Sequence, residues 1–121
     1  MSGLEESDRE AAAHAVAPRV RLADIENAIV ARFDTTADQA MRHAIWSSKG
    51  DVEVPPILDT LKLLSICILV MSNGFTVIGK SAPASSENFD AEFGKKLAYE
   101  DAIRQLWPLM GFALRDRLAG L

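Results

Sequence analysis

Two apolar runs flank Ser72-Asn73-Gly74-Phe75, and this arrangement constrains the fold more than any other feature of the chain. From Leu61 to Ala82 the sequence reads LKLLSICILVMSNGFTVIGKSA. Asn-Gly between β-rich runs is the strongest short-range signal for a β-hairpin. Asn73 and Gly74 both tolerate the positive φ that a type I′ turn needs at its two central residues. That turn predicts Ser72 opposite Phe75, Val70 opposite Val77 and Ile68 opposite Gly79. On the other face it sets Met71, Leu69 and Cys67 against Thr76, Ile78 and Lys80.

The first strand of this hairpin is apolar on both faces, with Leu64, Ile66, Ile68 and Val70 on one and Leu63, Cys67, Leu69 and Met71 on the other. Such strands are covered on both sides, and a hairpin alone is marginal in water. Only one partner strand is evident. A free edge is normally blunted by charge, proline or cover, yet Leu63 to Met71 holds neither charge nor proline. The expectation is a homodimer, or a higher even-numbered oligomer, built through the hairpin, with Leu64, Ile66, Ile68 and Val70 at the interface. A lysine at Ile68 or Leu69 is then expected to disrupt assembly and folding together. The competing source of cover is a third strand from Asp51 to Val54, cut short by Pro55-Pro56.

The remaining segments read as helices around that hairpin. Residues 1–19 are acidic and then Ala-rich, and are expected to form a mobile tail or frayed helix. Residues 20–121 form a single α+β domain. Leu22, Ile25, Ile29 and Phe33 have helical spacing, predicting a helix from Arg21 to Phe33. A second helix follows Thr35-x-x-Asp38, which has the form of a capping box, and stops before Gly50. The next helix starts at Phe89, capped by Asn88 or Ser86. Glu92–Lys96 and Glu100–Arg104 are i,i+4 pairs on it. Gly94 in its interior points to close approach of a neighbouring element. Pro108 breaks or kinks this C-terminal helix.

Signals for chemistry are few. Gly74-Phe-Thr-Val-Ile-Gly79-Lys80-Ser81 matches the pattern of a phosphate-binding loop, but its variable residues are strand formers and Ala82-Pro83, not a helix, follows. In this strand context Gly79 is expected at a strand bend and Lys80 in solvent. His14 and His43 lack a second ligand at metal spacing, so no metal is expected. One cysteine, Cys67, excludes an internal disulfide, and its apolar neighbours predict a buried residue. No Ser/His/Asp or Cys/His set is visible, no catalytic residue is assigned and no cofactor is implied. Asp90, Glu92, Glu100 and Asp101 read as helix-start and salt-bridge acids, and Trp46 and Trp107 as core or interface aromatics. The net charge of -4 argues against duplex DNA as a partner. No secretory signal or apolar run of spanning length is present, so a soluble, intracellular protein is expected.

Several motifs together resemble one family. They are Ser72-Asn73-Gly74-Phe75-Thr76-Val77, Gly79, Ser81-Ala82, Glu87-Asn88-Phe89-Asp90, Gly94-Lys95-Lys96 and Trp107-Pro108-Leu109. They are similar to small phage and prophage proteins, the family named for the gene 49 and gene 66 products of tailed phages. The similarity runs from about Leu61 to Leu118. A weaker echo covers Ala23 to Asp38, where Phe33-Asp34-Thr35-Thr36-Ala37-Asp38 stands in for a Phe-Thr-Ala-Ala-Asp-like segment. The resemblance implies a phage accessory protein acting in the cytoplasm of the infected or lysogenic bacterium, and brings no activity with it. The expected function is non-enzymatic binding of a host or phage protein. The alternative is sequestration of a small anionic ligand, such as a nucleotide signal, near Lys80, Asn88, Lys95 and Lys96.

Overall fold

The computed structural model describes residues 3–50 and 55–121. In chain order the elements are α1 (Gly3–His14), α2 (Leu22–Ala28), β1 (Ile29–Thr36), α3 (Ala37–Lys49), a 3-10 helix (Pro56–Leu63), β2 (Ser65–Met71), β3 (Thr76–Ser81), a 3-10 turn (Ser86–Asn88) and α4 (Ala91–Leu118). This is the expected α+β class, with helices before and after an antiparallel hairpin. The sheet has three strands in the order β1-β2-β3, antiparallel throughout.

The hairpin is present, but its turn is one residue longer than a type I′ turn. Gly74 N–H donates to the Met71 carbonyl at 2.8 Å, and Met71 N–H donates to the Phe75 carbonyl at 2.8 Å. Gly74 has a φ of 88°, and among the described residues no non-glycine has a positive φ. Ser72-Asn73-Gly74 is therefore a three-residue loop, a turn closed by one left-handed glycine. The Asn73 side chain accepts the Phe75 N–H at 2.9 Å, which fixes the extra residue.

The longer loop moves the register by one residue, and a one-residue slip exchanges the faces of a strand. Leu69 pairs with Val77, Cys67 with Gly79 and Ile68 with Ile78. The predicted pairs Val70–Val77 and Ile68–Gly79 are replaced. Cys67, Leu69, Met71 and Val77 consequently share one buried face.

The segment expected to be one helix from Arg21 to Phe33 divides at Ala28. Its apolar spacing is helical, but Ile29-Val30 and Thr35-Thr36 are β-branched and lose side-chain freedom in a helix. The chain continues as β1, with Phe33 opposite Ile68, Thr35 opposite Ile66 and a register irregularity between Ile29 and Ala31. β1 thus takes the edge of β2 that the sequence reading left free, so that edge offers no site for a second copy. The competing strand Asp51–Val54 lies outside the described residues.

α4 covers the buried face. Its N-cap is Asp90, whose carboxylate accepts the Phe93 N–H at 3.0 Å, in place of Asn88 or Ser86. It runs through Pro108 as one element to Leu118. Leu106 and Trp107 hold it on the N-terminal side of the proline. Leu106 is 2% exposed, and the Trp107 indole N–H donates to the Val20 carbonyl at 3.1 Å.

Two glycines set how closely α4 approaches the sheet. A Cβ on Gly79 would collide with the Ala98 carbonyl and lie 2.6 Å from the Ala102 backbone nitrogen. Gly79 is a helix–sheet contact point, not a strand bend. A Cβ on Gly94 would lie 2.5 Å from Ser65 Oγ, the close approach anticipated for that glycine. Ile25, Cys67, Leu69, Ala98, Ala102 and Ile103 are fully buried between these layers.

Residues 3–14, expected as tail or frayed helix, form α1, with Leu4 in the core cluster. Asp8 joins α1 to the next segment. Its carboxylate accepts Arg19 at 2.8 Å and the Leu22 N–H at 3.1 Å, and Arg19 holds its pKa below the ordinary carboxylate value. Asp24 is drawn down from 3.8 to about 2, mainly by Arg21. Groups depressed by folding stabilise the folded state above their unfolded pKa and lose that contribution as pH falls through the folded value. Acid titration followed by circular dichroism is therefore expected to show loss of stability between about pH 4 and about pH 2. In Asp8→Asn combined with Asp24→Asn this step should be weaker.

The turn makes a second expectation concrete. Gly74 has open space around a Cβ but a φ of 88°, so Gly74→Val meets backbone strain alone, about 1–3 kcal/mol. Lys80→Ala removes only an exposed side chain. Urea denaturation should rank Gly74→Val as clearly the less stable of the two.

Candidate functional site

The sheet has a second face, and among the described residues its centre lacks cover. Alternation places Ala31, Phe33 and Thr35 of β1 beside Ile66, Ile68 and Val70 of β2 and Thr76, Ile78 and Lys80 of β3. Phe33, Ile68 and Ile78 form its central row. Phe33 is 60% exposed and Ile78 57% exposed, with Ile68 half-buried between them. Strand spacing and rise give the nine-residue face a footprint of about 300 Å². Lys80 is its only charge, at one corner. A contiguous apolar surface on this scale is the kind that marks interaction sites.

The residues singled out from sequence fall in different places. Ile66, Ile68 and Val70 do lie on this outer face. Leu64 precedes β2, at the end of the 3-10 helix. Lys80 sits on the outer face, opposite Ile66. Asn88 ends the 3-10 turn before α4, and Lys95 and Lys96 are exposed in the early turns of α4. Because α4 packs against the inner face, Lys80 and the two helix lysines are on opposite sides of the sheet. Lys95 is 3.8 Å from Glu92, taking the place predicted for Lys96. The four proposed anion-binding residues do not converge on one face.

The phosphate-loop match is a strand in the structure. Thr76–Ser81 is β3, and the Lys80 N–H donates to Asp101 at 2.9 Å. Backbone donors in that state are not turned inward around a phosphate.

Among the buried titratable groups, Glu100 is 5% exposed and its Oε2 has no hydrogen-bond partner, and among the described residues no ion pair joins it to Arg104, whereas Cys67 and Tyr99 serve the fold. Cys67 is fully buried, as expected, and burial pushes its thiol up to about 11; a thiol in that state is not a nucleophile. Burial, with the neighbouring Glu26 carboxylate, pushes Tyr99 up to about 12. Its hydroxyl donates to Glu26 at 3.2 Å, and the Arg32 guanidinium lies 4.2 Å from its ring centre. Among the described residues, no group of three or more His, Cys, Asp or Glu could hold a metal ion. His14 and His43 are exposed. Trp46 is 62% exposed on α3, outside the core.

Sequence reasoning missed Phe33 and Ile78 as members of the outer face. The helical spacing Leu22, Ile25, Ile29, Phe33 puts Phe33 on a helix, and a two-residue turn puts Ile78 opposite Leu69. The available signal was period-two alternation through Ala31, Phe33 and Thr35, flanked by β-branched residues.

Residues 20–118 match the family model described as phage protein (N4 Gp49/phage Sf6 gene 66) family. No curated protein matches the chain, and no solved structure matches it. Among the described residues no helix is long and apolar enough to cross a membrane.

Proposed function

The chain belongs to the phage protein (N4 Gp49/phage Sf6 gene 66) family, and from that premise we propose a non-enzymatic binding protein that engages a host or phage protein. It acts in the cytoplasm of the infected or lysogenic bacterium. The observation that supports this reading is the outer sheet face, with Phe33 and Ile78 exposed on either side of Ile68. A strand apolar on both sides is ordinarily covered on both. Here α4 supplies one cover, and a protein partner supplies the other. Burying the aromatic and branched side chains of this face provides binding energy without any polar chemistry.

The test compares the wild-type chain with Ile78→Lys as bait in infected-cell lysate. Ile78 is 57% exposed, so the variant keeps its fold, checked by circular dichroism. A charge at the centre of an apolar interface costs about 2 kcal/mol or more, so capture of the partner is expected to fall by at least about tenfold. Retention of the same protein by both baits overturns the assignment of this face. Light scattering of the pure chain tests the other occupant, a second copy. If the wild type is a dimer at micromolar concentration and Ile78→Lys is a monomer of about 13 kDa, the face serves self-association and the foreign-partner reading falls.

A further inference from the structure

At the opposite end of the molecule from the start of α4, the hairpin turn, the end of α2 and the last turns of α4 line an open cavity of about 370 Å³. Its floor is Met71 and Leu106, which are 6% and 2% exposed. Phe75, Leu109 and Met110 add to its apolar lining, and Arg117 is the charged residue among those that line it. The volume is at the low end of the range for small-molecule sites, which are apolar cavities with a few placed polar groups.

Arg117 is the informative residue. Arg19, Arg21, Arg32 and Arg42 each hold an aspartate. Arg104, Arg115 and Arg117 have no ion pair or side-chain hydrogen bond among the described residues, and of these three Arg117 lines the cavity. Its place in the last turn of α4 suits the helix dipole, which is a sufficient reason for a cation there. That reason does not account for its place in the cavity lining. Arg117 shares the lining of this cavity with Ala113 and Met110, the residues four and seven positions before it on the same face of α4. It lines a second cavity of about 330 Å³ on the other side of these residues as well. Arg19 and Asp24 at that second cavity are already paired, with Asp8 and Arg21. Asn73, which also lines the first cavity, has its side-chain oxygen engaged by the Phe75 N–H, so its amide N–H groups are its remaining donors.

We propose that this cavity binds a small apolar anion, with the hydrocarbon body against Met71, Phe75, Leu106 and Leu109 and the anionic head on Arg117. Asn73 donates a second hydrogen bond to the head. Guanidinium recognises carboxylate and phosphate oxygens in a planar, two-donor geometry. The site is separate from the outer sheet face, since Met71, Phe75 and Val77 belong to the inner side. It is therefore independent of the protein-binding reading.

Calorimetry with octanoate and 1-octanol, which share a chain length and differ in charge, tests the assignment on the full chain. Octanoate is expected to bind one molecule per chain, and 1-octanol about tenfold more weakly. Arg117→Gln should weaken octanoate by about tenfold and leave 1-octanol unchanged. Ala113→Trp, at an exposed helix position lining the cavity, should abolish binding of both. Ile78→Lys on the outer face should leave binding intact. Equal octanoate affinity in Arg117→Gln, loss of binding in Ile78→Lys, or no octanoate binding at millimolar concentration would each overturn the proposal. Phosphatidylglycerol vesicles distinguish a bilayer lipid from a free amphiphile. Co-sedimentation with them, without octanoate binding in solution, also overturns it.

Discussion

Leu69→Lys is expected to leave the chain unfolded, whereas its neighbour Ile68→Lys is expected to fold with little loss of stability. Leu69 is fully buried against α4, and Ile68 sits half-buried on the outer face. An ammonium group buried without a partner carries an effective penalty of several kcal/mol even after relaxation. The whole stability of a domain is about 5–15 kcal/mol, so one such substitution removes most or all of it. A lysine at 68 can instead run its methylenes along Phe33 and Ile78 and keep its charge in water, a change within about 1 kcal/mol. Circular dichroism and urea denaturation of the two variants decide the matter. Equal damage at both positions would mean that the outer face is closed by part of the same chain. A free strand edge would make the two residues equivalent; they differ because β2 is the central strand and one of its faces lies under α4.

Gly79→Ala is expected to cost about 3 kcal/mol or more, although it adds a single methyl group. The methyl carbon would meet the Ala98 carbonyl, the Ala102 nitrogen at 2.6 Å and the Ala102 methyl at 2.8 Å. Two of these neighbours are helix backbone, which moves only if α4 lifts from the sheet. Lifting α4 also separates Ile103 and Leu106 from Leu69 and Val77. Gly94→Ala is the matched control. There the obstacle is the hydroxyl of Ser65 at 2.5 Å, which can turn about one bond, and alanine regains about 1 kcal/mol of helix propensity. The net change at Gly94 should lie within about 1 kcal/mol of zero. Urea midpoints for the two alanine variants should therefore differ widely. If they coincide, α4 does not cross the sheet at Gly79.

What the sequence by itself determined is local. Asn73-Gly74 between apolar runs specified a hairpin at that place. Gly94 marked a close approach, and the motifs from Ser72 to Leu109 marked the family. Cys67 was legible as buried because its neighbours are apolar on both sides. These readings depend on residues near one another in the chain, where turn chemistry and propensity act directly.

What only the tertiary structure decided depends on distant partners. Ile29 to Thr36 became a strand because β2 offered an edge to pair with, and that pairing outweighed an apolar spacing equally suited to a helix. The register followed from one extra residue in the turn. Asn73 can adopt either sign of φ, and the inner face then selected Val77 and Gly79 to meet α4. The outer face of Phe33, Ile68 and Ile78 joins three strands, and the cavity at Arg117 joins α2, the hairpin turn and α4. Neither has a linear signature, because the physical property that defines each is surface shared by residues the chain brings together only when folded.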